Sequence, residues 1–442
     1  MLKLEAPKQR NYSACVVRLG SFVDLPNCAN VKSALIFGNS VIVGKDTEAG
    51  AVGLFFPVEA ALSREFLGAN NLYRKPEWGN ADPEKKGYFE EHGRIKAVKF
   101  RGHKSEGFWI PIESLIYLGV SPKEFPVGAE FDTVGDHEIC RKYVPVGNRV
   151  NNSTPRTAKM PKMEDRIVPN QFRFHPDTEN LRRNIHKIHP DMWISLSDKW
   201  HGTSVVLANV LIKRDLTWLE RLAKRLGVKV QDQEYGVTWS SRRVVKGING
   251  ESKATAIHFY STDIWGDVAK EVSDRIPKGH TIYGEIVGYT TDGAAIQKGY
   301  HYGCQPGTHR LMVYRVTSTN ADGKVIEFSW QQMKEFCAKY GFEMVKELWY
   351  GRAEEWLTSP WDKSRDTVPM LSLSKLEAAY VHDQMCAFNN LEVPAEGIVL
   401  KVDSLEEDIA FKLKNFAFLR KESEELDKGV ADIETVESEV VG

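Results

Sequence analysis

The sequence has no long hydrophobic run: no apolar stretch approaches the ~20 residues that a bilayer-spanning helix needs. Its first residues, MLKLEAPKQRNYSACVV, lack the apolar core of a secretory signal. These absences predict a soluble, cytoplasmic chain with no membrane partner. Cysteine is sparse, with 6 in 442 residues. Cys15, Cys28, Cys140, Cys304, Cys337 and Cys386 form no CxxC pair and none stands near histidines at zinc-ligand spacing, which argues against a disulfide scaffold or a zinc site. They read as reduced thiols. Net charge is nearly absent too, at −1. Such a total neither demands nor excludes nucleic acid, because phosphate binding depends on a local basic surface. No internal repeat is visible.

What is there is an ordinary globular composition, 42% hydrophobic and 27% charged, in a chain long enough for two domains. The charge is uneven. Arg141, Lys142, Arg149, Arg156, Lys159, Lys162 and Arg166 face only Glu164 and Asp165 mid-chain, and 421–442 is strongly acidic. Residues 1–145 read as β-rich: the runs 14–19, 34–43, 52–58, 94–100, 107–112 and 130–133 are β-branched or aromatic and separated by turn residues. That spacing predicts a small barrel or sandwich. Arg94, Lys96, Lys99 and Arg101 flank Ile95, Val98 and Phe100, and a second run carries Phe108-Trp109. A basic, aromatic hairpin on a small barrel is what an OB-fold uses to track a nucleic-acid backbone; a solvated hairpin with its aromatics in the core gives the same pattern. Residues 146–165 read as a basic linker rich in Pro, Gly and Asn. Residues 166–420 mix strands with helices expected over 216–226 and 371–388. Residues 421–442 read as an acidic tail, a frayed or solvating end.

The strongest local signal is Ser197-Asp198-Lys199-Trp200-His201-Gly202-Thr203-Ser204, between the strand-like runs 193–196 and 205–210. A lysine between two strands, with Gly202 permitting close backbone approach, suits a nucleophile that must reach a nucleotide phosphate. A surface lysine in a hairpin gives the same tetrapeptide. The residues that follow separate the two. Ser241-Arg242-Arg243 follows a short strand, Tyr283-Gly284-Glu285-Ile286 sets a carboxylate in an apolar strand, and 309–315 sets Tyr314 in another. Glu396-Gly397-Ile398-Val399-Leu400-Lys401 repeats the carboxylate, and Phe411-Lys412-Leu413-Lys414-Asn415 places two lysines on one strand face. Alone, Arg242 is a surface charge, Glu285 a salt-bridge partner, Tyr314 a core residue, Glu396 a turn end, and Lys412 and Lys414 a solvated face. Apolar strands, however, rarely carry inward charges without a partner.

Together they fit one task. A lysine nucleophile must be neutral near pH 7 against an ordinary pKa of ~10.4, and Lys412, Lys414 and a divalent metal would lower it. Positive groups stabilise departing pyrophosphate. Glu285 and Glu396 offer oxygen to a metal, and Tyr314 offers a stacking surface to a base.

The ordered set Lys199-x-x-Gly202, Ser241-Arg242, Gly284-Glu285, Tyr314 in its strand, Glu396-Gly397-x-Val399-x-Lys401 and Lys412-x-Lys414-Asn415 resembles motifs I, Ib, III, IIIa, IV and V of the covalent nucleotidyltransferases. These comprise DNA ligases, RNA ligases and mRNA capping enzymes. Gln171-Phe172-Arg173-Phe174-His175-Pro176-Asp177-Thr178, with the N-terminal barrel, resembles the nick-sealing 3′-OH RNA ligases that carry an N-terminal OB domain, the fifth RNA ligase family. The resemblance implies an α+β chain: an OB-like nucleic-acid-binding barrel over 1–145, then an adenylyltransferase (ATP-grasp-like ligase) domain of antiparallel sheets with flanking helices over 166–420. It implies an ATP-dependent RNA ligase that seals 3′-OH/5′-phosphate breaks through a lysine–AMP intermediate, using ATP and Mg²⁺ or Mn²⁺. Its partner would be a nicked RNA-containing duplex, and the chain a monomer. Lys199 would be the nucleophile, with Lys412 and Lys414 on the α-phosphate. Asp198 and Trp200 would read the adenine edge through their backbones, beside Gly202. Arg242 would contact nucleotide and 5′-phosphate, Glu285 the ribose or metal waters, Tyr314 the adenine, and Glu396 the metal. Two positions depart from the pattern: His201 stands where many relatives have Asp, and Ser204 where some RNA ligases have Asn.

Other readings fare worse. DNA ligases and capping enzymes place an OB domain after motif V, where 27 residues remain here, fewer than the ~50 a domain needs. The stretch from Gly38 to Asp46 imitates a P-loop but has five residues between its glycines and Asp46 where Ser or Thr is needed. A catalytically dead nucleic-acid-binding relative is disfavoured by the intact series. Removing 1–165 is expected to spare self-adenylylation more than sealing.

Overall fold

The computed structural model describes residues 4–145, 163–252, 260, 262–360 and 369–429. Most of the basic linker (146–162) and the acidic end from 430 lie outside the described residues. Among the described residues no helix is long and apolar enough to cross a membrane.

In the N-terminal unit, Ala14–Arg18 (β1), Val52–Pro57 (β2), Gly107–Pro111 (β3) and Glu130–Phe131 (β4) pair antiparallel in the order β4-β1-β2-β3. Its central strands are apolar on both faces because both are covered. Val16, Leu54 and Phe56 pack with Phe66, Leu115 and Phe131, while Cys15, Val17 and Phe55 pack with Val41, Val43 and Trp109. Phe22–Asp24, Val31–Ile36 and Asn39–Gly44 form a separate three-stranded sheet. The strands expected to build a small barrel form no closed one among the described residues: the end strands β4 and β3 do not pair. The strands are short, and the chain beyond β3 turns into the 3₁₀ segment Ile112–Leu118. The basic hairpin also differs. Val98–Phe100 pairs with His103–Ser105, whereas Phe108 and Trp109 belong to the main sheet.

From 166 onward two antiparallel sheets dominate. In the first, Trp193–Lys199 (β5) lies between Glu347–Arg352 and Gly397–Val402 (β8), and Ile409–Lys414 (β9) continues the sheet to the parallel two-residue strand Glu179–Asn180. In the second, Thr203–Lys213 (β6) and His280–Gly288 (β7) are the central neighbours, flanked by Gln233–Ser240 and His309–Thr319. Helices Ile264–Val272 and Trp330–Tyr340 bury Trp265 and Trp330 in the core of the second sheet. Trp330–Tyr340 starts at a Ser329/Gln332 capping box and ends at Gly341 in the left-handed conformation that glycine adopts without penalty.

Two helical expectations are adjusted. The helix Trp218–Arg225 forms, but Trp218, Leu219, Leu222 and Leu226 stay exposed, so their helical spacing does not mark a core face. The helix at Leu373–Tyr380 is shorter than 371–388, because Val381 leaves helical geometry and Asp383 takes φ +53°. The acidic end is ordered at its start. Phe416–Asp427 is a helix, capped by Asn415 and docked on the N-terminal unit. The buried Arg94 donates to Ser423 O at 2.8 Å and pairs with Asp427 at 2.5 Å, and Ala97 N donates to Ser423 Oγ at 3.3 Å.

Candidate active site

The register of the first sheet sets the site. Lys199 at the end of β5 lies opposite Gly397, which lies opposite Lys414; Ser197, Val399 and Lys412 form the next row. Strand alternation puts these side chains on one face, toward the second sheet. There Gly202 enters β6, whose residues Thr203 and Ser204 pair with Ile286 and Glu285 on β7. Gly202 is required by contact: a Cβ there would meet Ile286 O at 2.2 Å and Glu285 Cγ at 3.0 Å. The same close approach lets Gly202 N donate to Glu285 Oε1 at 3.0 Å. Gly397 has φ +142°, and a Cβ would meet Leu413 O at 2.2 Å, so the turn after Glu396 also needs glycine.

One cleft is lined by Lys199, Lys412, Lys414, Asp198, Trp200, Gly202, Arg242, Glu285, Tyr314 and Glu396. Every site residue expected from the sequence is thus brought to a shared space. Lys199 Nζ pairs with Glu396 Oε1 at 2.6 Å. The Tyr314 hydroxyl lies 3.2 Å from Ser204 Oγ, in hydrogen-bond range. Arg242 pairs with Asp177 at 2.6 Å, and Arg243 shares that carboxylate at 3.0 Å. The indole of Trp200 turns into the core, stacked on Tyr302 at 4.5 Å. His201 donates its backbone N–H to Tyr302 Oη at 2.8 Å and packs its ring edgewise on Phe418.

The charges do not behave alike. Burial opposes the Lys199 ammonium, but Glu396 and Glu285 outweigh it and raise its pKa above the ordinary value. Lys199 is therefore a charged, ion-paired amine in this state; the lowering expected from Lys412 and Lys414 is overridden by the adjacent carboxylates. Burial and the neighbouring Lys414 push Lys412 down to about 8. Burial likewise opposes Lys414, yet Glu422 and Glu59 hold it well above the ordinary lysine value. Glu396 is buried but kept low, chiefly by Lys199.

The sequence reading missed several cleft residues. Tyr12, Glu59 and Lys142 come from the N-terminal unit, and Glu422 from the terminal helix. None carries a local signal, because only the packing of the two units brings them there. Asp177 and His175 sit in the 171–178 segment already singled out. His175 is driven down to about 3 by burial, hence neutral, and lies 5.1 Å from the Tyr314 ring. Lys401 pairs with Asp408 at 3.3 Å, and Asp408 lies 3.5 Å from Arg315, so this end of the cleft is tied by a buried charge network.

Two antiparallel sheets thus set a lysine among inward acids and bases in one cleft. Residues 195–414 match the family model described as RNA ligase. No curated protein sequence matches the chain. Among solved structures, a point variant of Naegleria gruberi RNA ligase with AMP and Mn aligns at 14% identity over 92% of this chain and 98% of its own, with a TM-score of 0.55. Another variant of that ligase, with ATP and Mn, gives the same identity, coverage and TM-score: 14%, 92%, 98% and 0.55. The same ligase with PPi aligns at 14% over 94% and 99%, with a TM-score of 0.54. At this identity the likeness establishes a shared fold, and it extends through the N-terminal unit.

Proposed function

We propose that the protein is an ATP-dependent RNA ligase that seals 3′-OH/5′-phosphate breaks through a Lys199–AMP intermediate. The observation that carries this is the convergence of Lys199, Glu396, Glu285, Lys412 and Lys414 on one cleft within the RNA ligase segment. Structural relatives with ATP, AMP, Mn and PPi support the choice of nucleotide and metal.

In the first step the neutral Lys199 amine attacks the α-phosphorus of ATP. A P–N bond forms, the bond to pyrophosphate breaks, and the amine gives up a proton. Lys412 and Lys414 are assigned to charge on the α-phosphate and the leaving group. Tyr314 is assigned to the adenine face, the backbones of Asp198 and Trp200 to its edge, and Glu285 to the ribose. AMP then passes to an RNA 5′-phosphate, breaking the P–N bond, with Arg242 on that phosphate. A 3′-OH finally attacks the activated end and expels AMP.

The donor set fits a hard divalent cation held largely through water. Glu396 Oε2 is buried and makes no hydrogen bond, and Glu285 stands across the cleft. The described residues contain no group of three His, Cys, Asp or Glu side chains poised around one point, as suits an ion that keeps several waters. When bound, Mg²⁺ or Mn²⁺ supplies Lewis-acid stabilisation of phosphate charge.

The substrate we favour is a nicked duplex with RNA on the 3′-OH side, gripped through phosphates by an OB-like N-terminal unit of the fifth-family kind, by a cytoplasmic monomer. Incubation with labelled ATP and Mg²⁺ or Mn²⁺, followed by denaturation, should leave label on the wild type and none on Lys199→Ala. Unlabelled wild type, or a labelled variant, overturns the assignment. A panel of nicked duplexes with RNA or DNA on each side tests the substrate; equal sealing of a DNA 3′-OH would sink that part.

A further inference from the structure

Glu59 occupies the turn between β2 and the strand Ala60–Leu62 with φ +70°. A left-handed backbone is strained for a residue with a Cβ and persists only where its surroundings enforce it. Here Glu59 N donates to Ile95 O at 3.1 Å, and Glu59 O accepts from Tyr143 N at 2.8 Å. So pinned, its side chain leaves the N-terminal unit and meets Lys414 Nζ at 3.0 Å. Glu422 of the terminal helix meets the same nitrogen at 3.4 Å. That helix is itself fastened to the N-terminal unit through Arg94, Lys96 and Ala97.

Three separate parts of the chain therefore converge on one ammonium. Lys412 offers a contrast two residues away: it makes no ion pair among the described residues, and its charge is weakened by burial and by Lys414. The two carboxylates do not both repel. Burial opposes the Glu59 charge, but Lys414 and Lys412 keep it low, while burial and the facing Glu59 push Glu422 up to about 8. Near neutrality the pair presents about one negative charge to Lys414.

We propose that Glu59 and Glu422 are positioning residues for lysine adenylylation: they fix the Lys414 ammonium at the cleft, so the first chemical step needs the N-terminal unit as well as the ligase domain. This rests on the reading of Lys199 as the nucleophile. It reverses the expectation that removal of 1–165 spares self-adenylylation.

The test is single-turnover labelling of the full chain with labelled ATP and Mg²⁺. Glu59→Gln should slow labelling at saturating ATP by about tenfold or more, because small misplacements of catalytic groups are costly, while apparent ATP affinity changes by less than about threefold. Combined with Lys414→Ala, it should add nothing to the defect of Lys414→Ala alone, since a residue acting through another shows non-additivity. Glu422→Ala, which removes the carboxyl altogether, should behave likewise. Glu59→Gly should melt above Glu59→Ala, because glycine adopts φ +70° freely, yet both should label slowly; a purely structural role would make rate follow melting temperature. Wild-type labelling by Glu59→Gln, or full additivity with Lys414→Ala, overturns the positioning role alone. Unlabelled wild type overturns the nucleophile and the positioning role together.

Discussion

Lys199 Nζ lies 2.6 Å from Glu396 Oε1 in the cleft that also holds Lys412 and Lys414. The proposed nucleophile is thus paired with the proposed metal ligand. A cation taken up by Glu396 would compete with the ammonium for the same carboxylate and favour release of the lysine proton. Nucleophile activation and metal binding would then be one event.

The pH profile should show this. Lys199 must be neutral, and its pKa is raised, so kcat/KM for ATP should rise about tenfold per pH unit through neutrality. Lys412 must be charged, and its pKa is lowered to about 8, so above that pH its loss should cancel the gain and level the profile. Lys412→Arg, whose cation persists, should restore the rise above the plateau. A profile flat across neutrality, or unchanged by Lys412→Arg, contradicts the assignment.

Gly202→Ala should be severe. The added Cβ would fall 2.2 Å from Ile286 O, so β6 and β7 must separate. Overpacking of this kind costs about 1–3 kcal/mol, and the loss of the Gly202–Glu285 hydrogen bond should lower labelling by about a hundredfold. Differential scanning calorimetry and the labelling assay check both.

Arg242 and Asp177 are tied at 2.6 Å, and Arg243 shares the carboxylate. If Arg242 serves the 5′-phosphate, Arg242→Ala should depress sealing of a nicked duplex more than self-labelling, by about tenfold. Asp177→Asn removes the competing charge and should tighten the enzyme's hold on a 5′-phosphorylated nick. Equal losses in both assays for Arg242→Ala would confine that residue to the nucleotide.

Arg94→Ala should loosen the terminal helix. Arg94 is buried and hydrogen-bonds Ser423 and Asp427; leaving such groups unpaired costs about 1–3 kcal/mol. Melting should fall by several degrees, and increased protease cleavage after residue 415 should accompany it.

How far the chain could be read in advance differs by region. Lys199, Glu285, Lys412 and Lys414 sit in strands and Gly202 and Glu396 just before them, and their order along the chain exposed them. The exposed face of Trp218–Arg225 and the open N-terminal sheets show the opposite case. Periodicity reports which residues share a face, and it is silent on whether anything covers that face or whether a sheet closes. Glu59 and Glu422 had no local mark at all: one is an unremarkable turn residue, the other lies in a stretch taken for a solvating tail.

Local order along the chain was enough to single out the candidate nucleophile, its glycine, the acids and the paired lysines, because strand alternation and close packing are short-range constraints. Which of these groups carries charge, and that an acid from each end of the chain clasps Lys414, was decided only in three dimensions. Burial and Coulomb interactions depend on distance in space, and residues 59, 414 and 422 become neighbours only when the two units pack together.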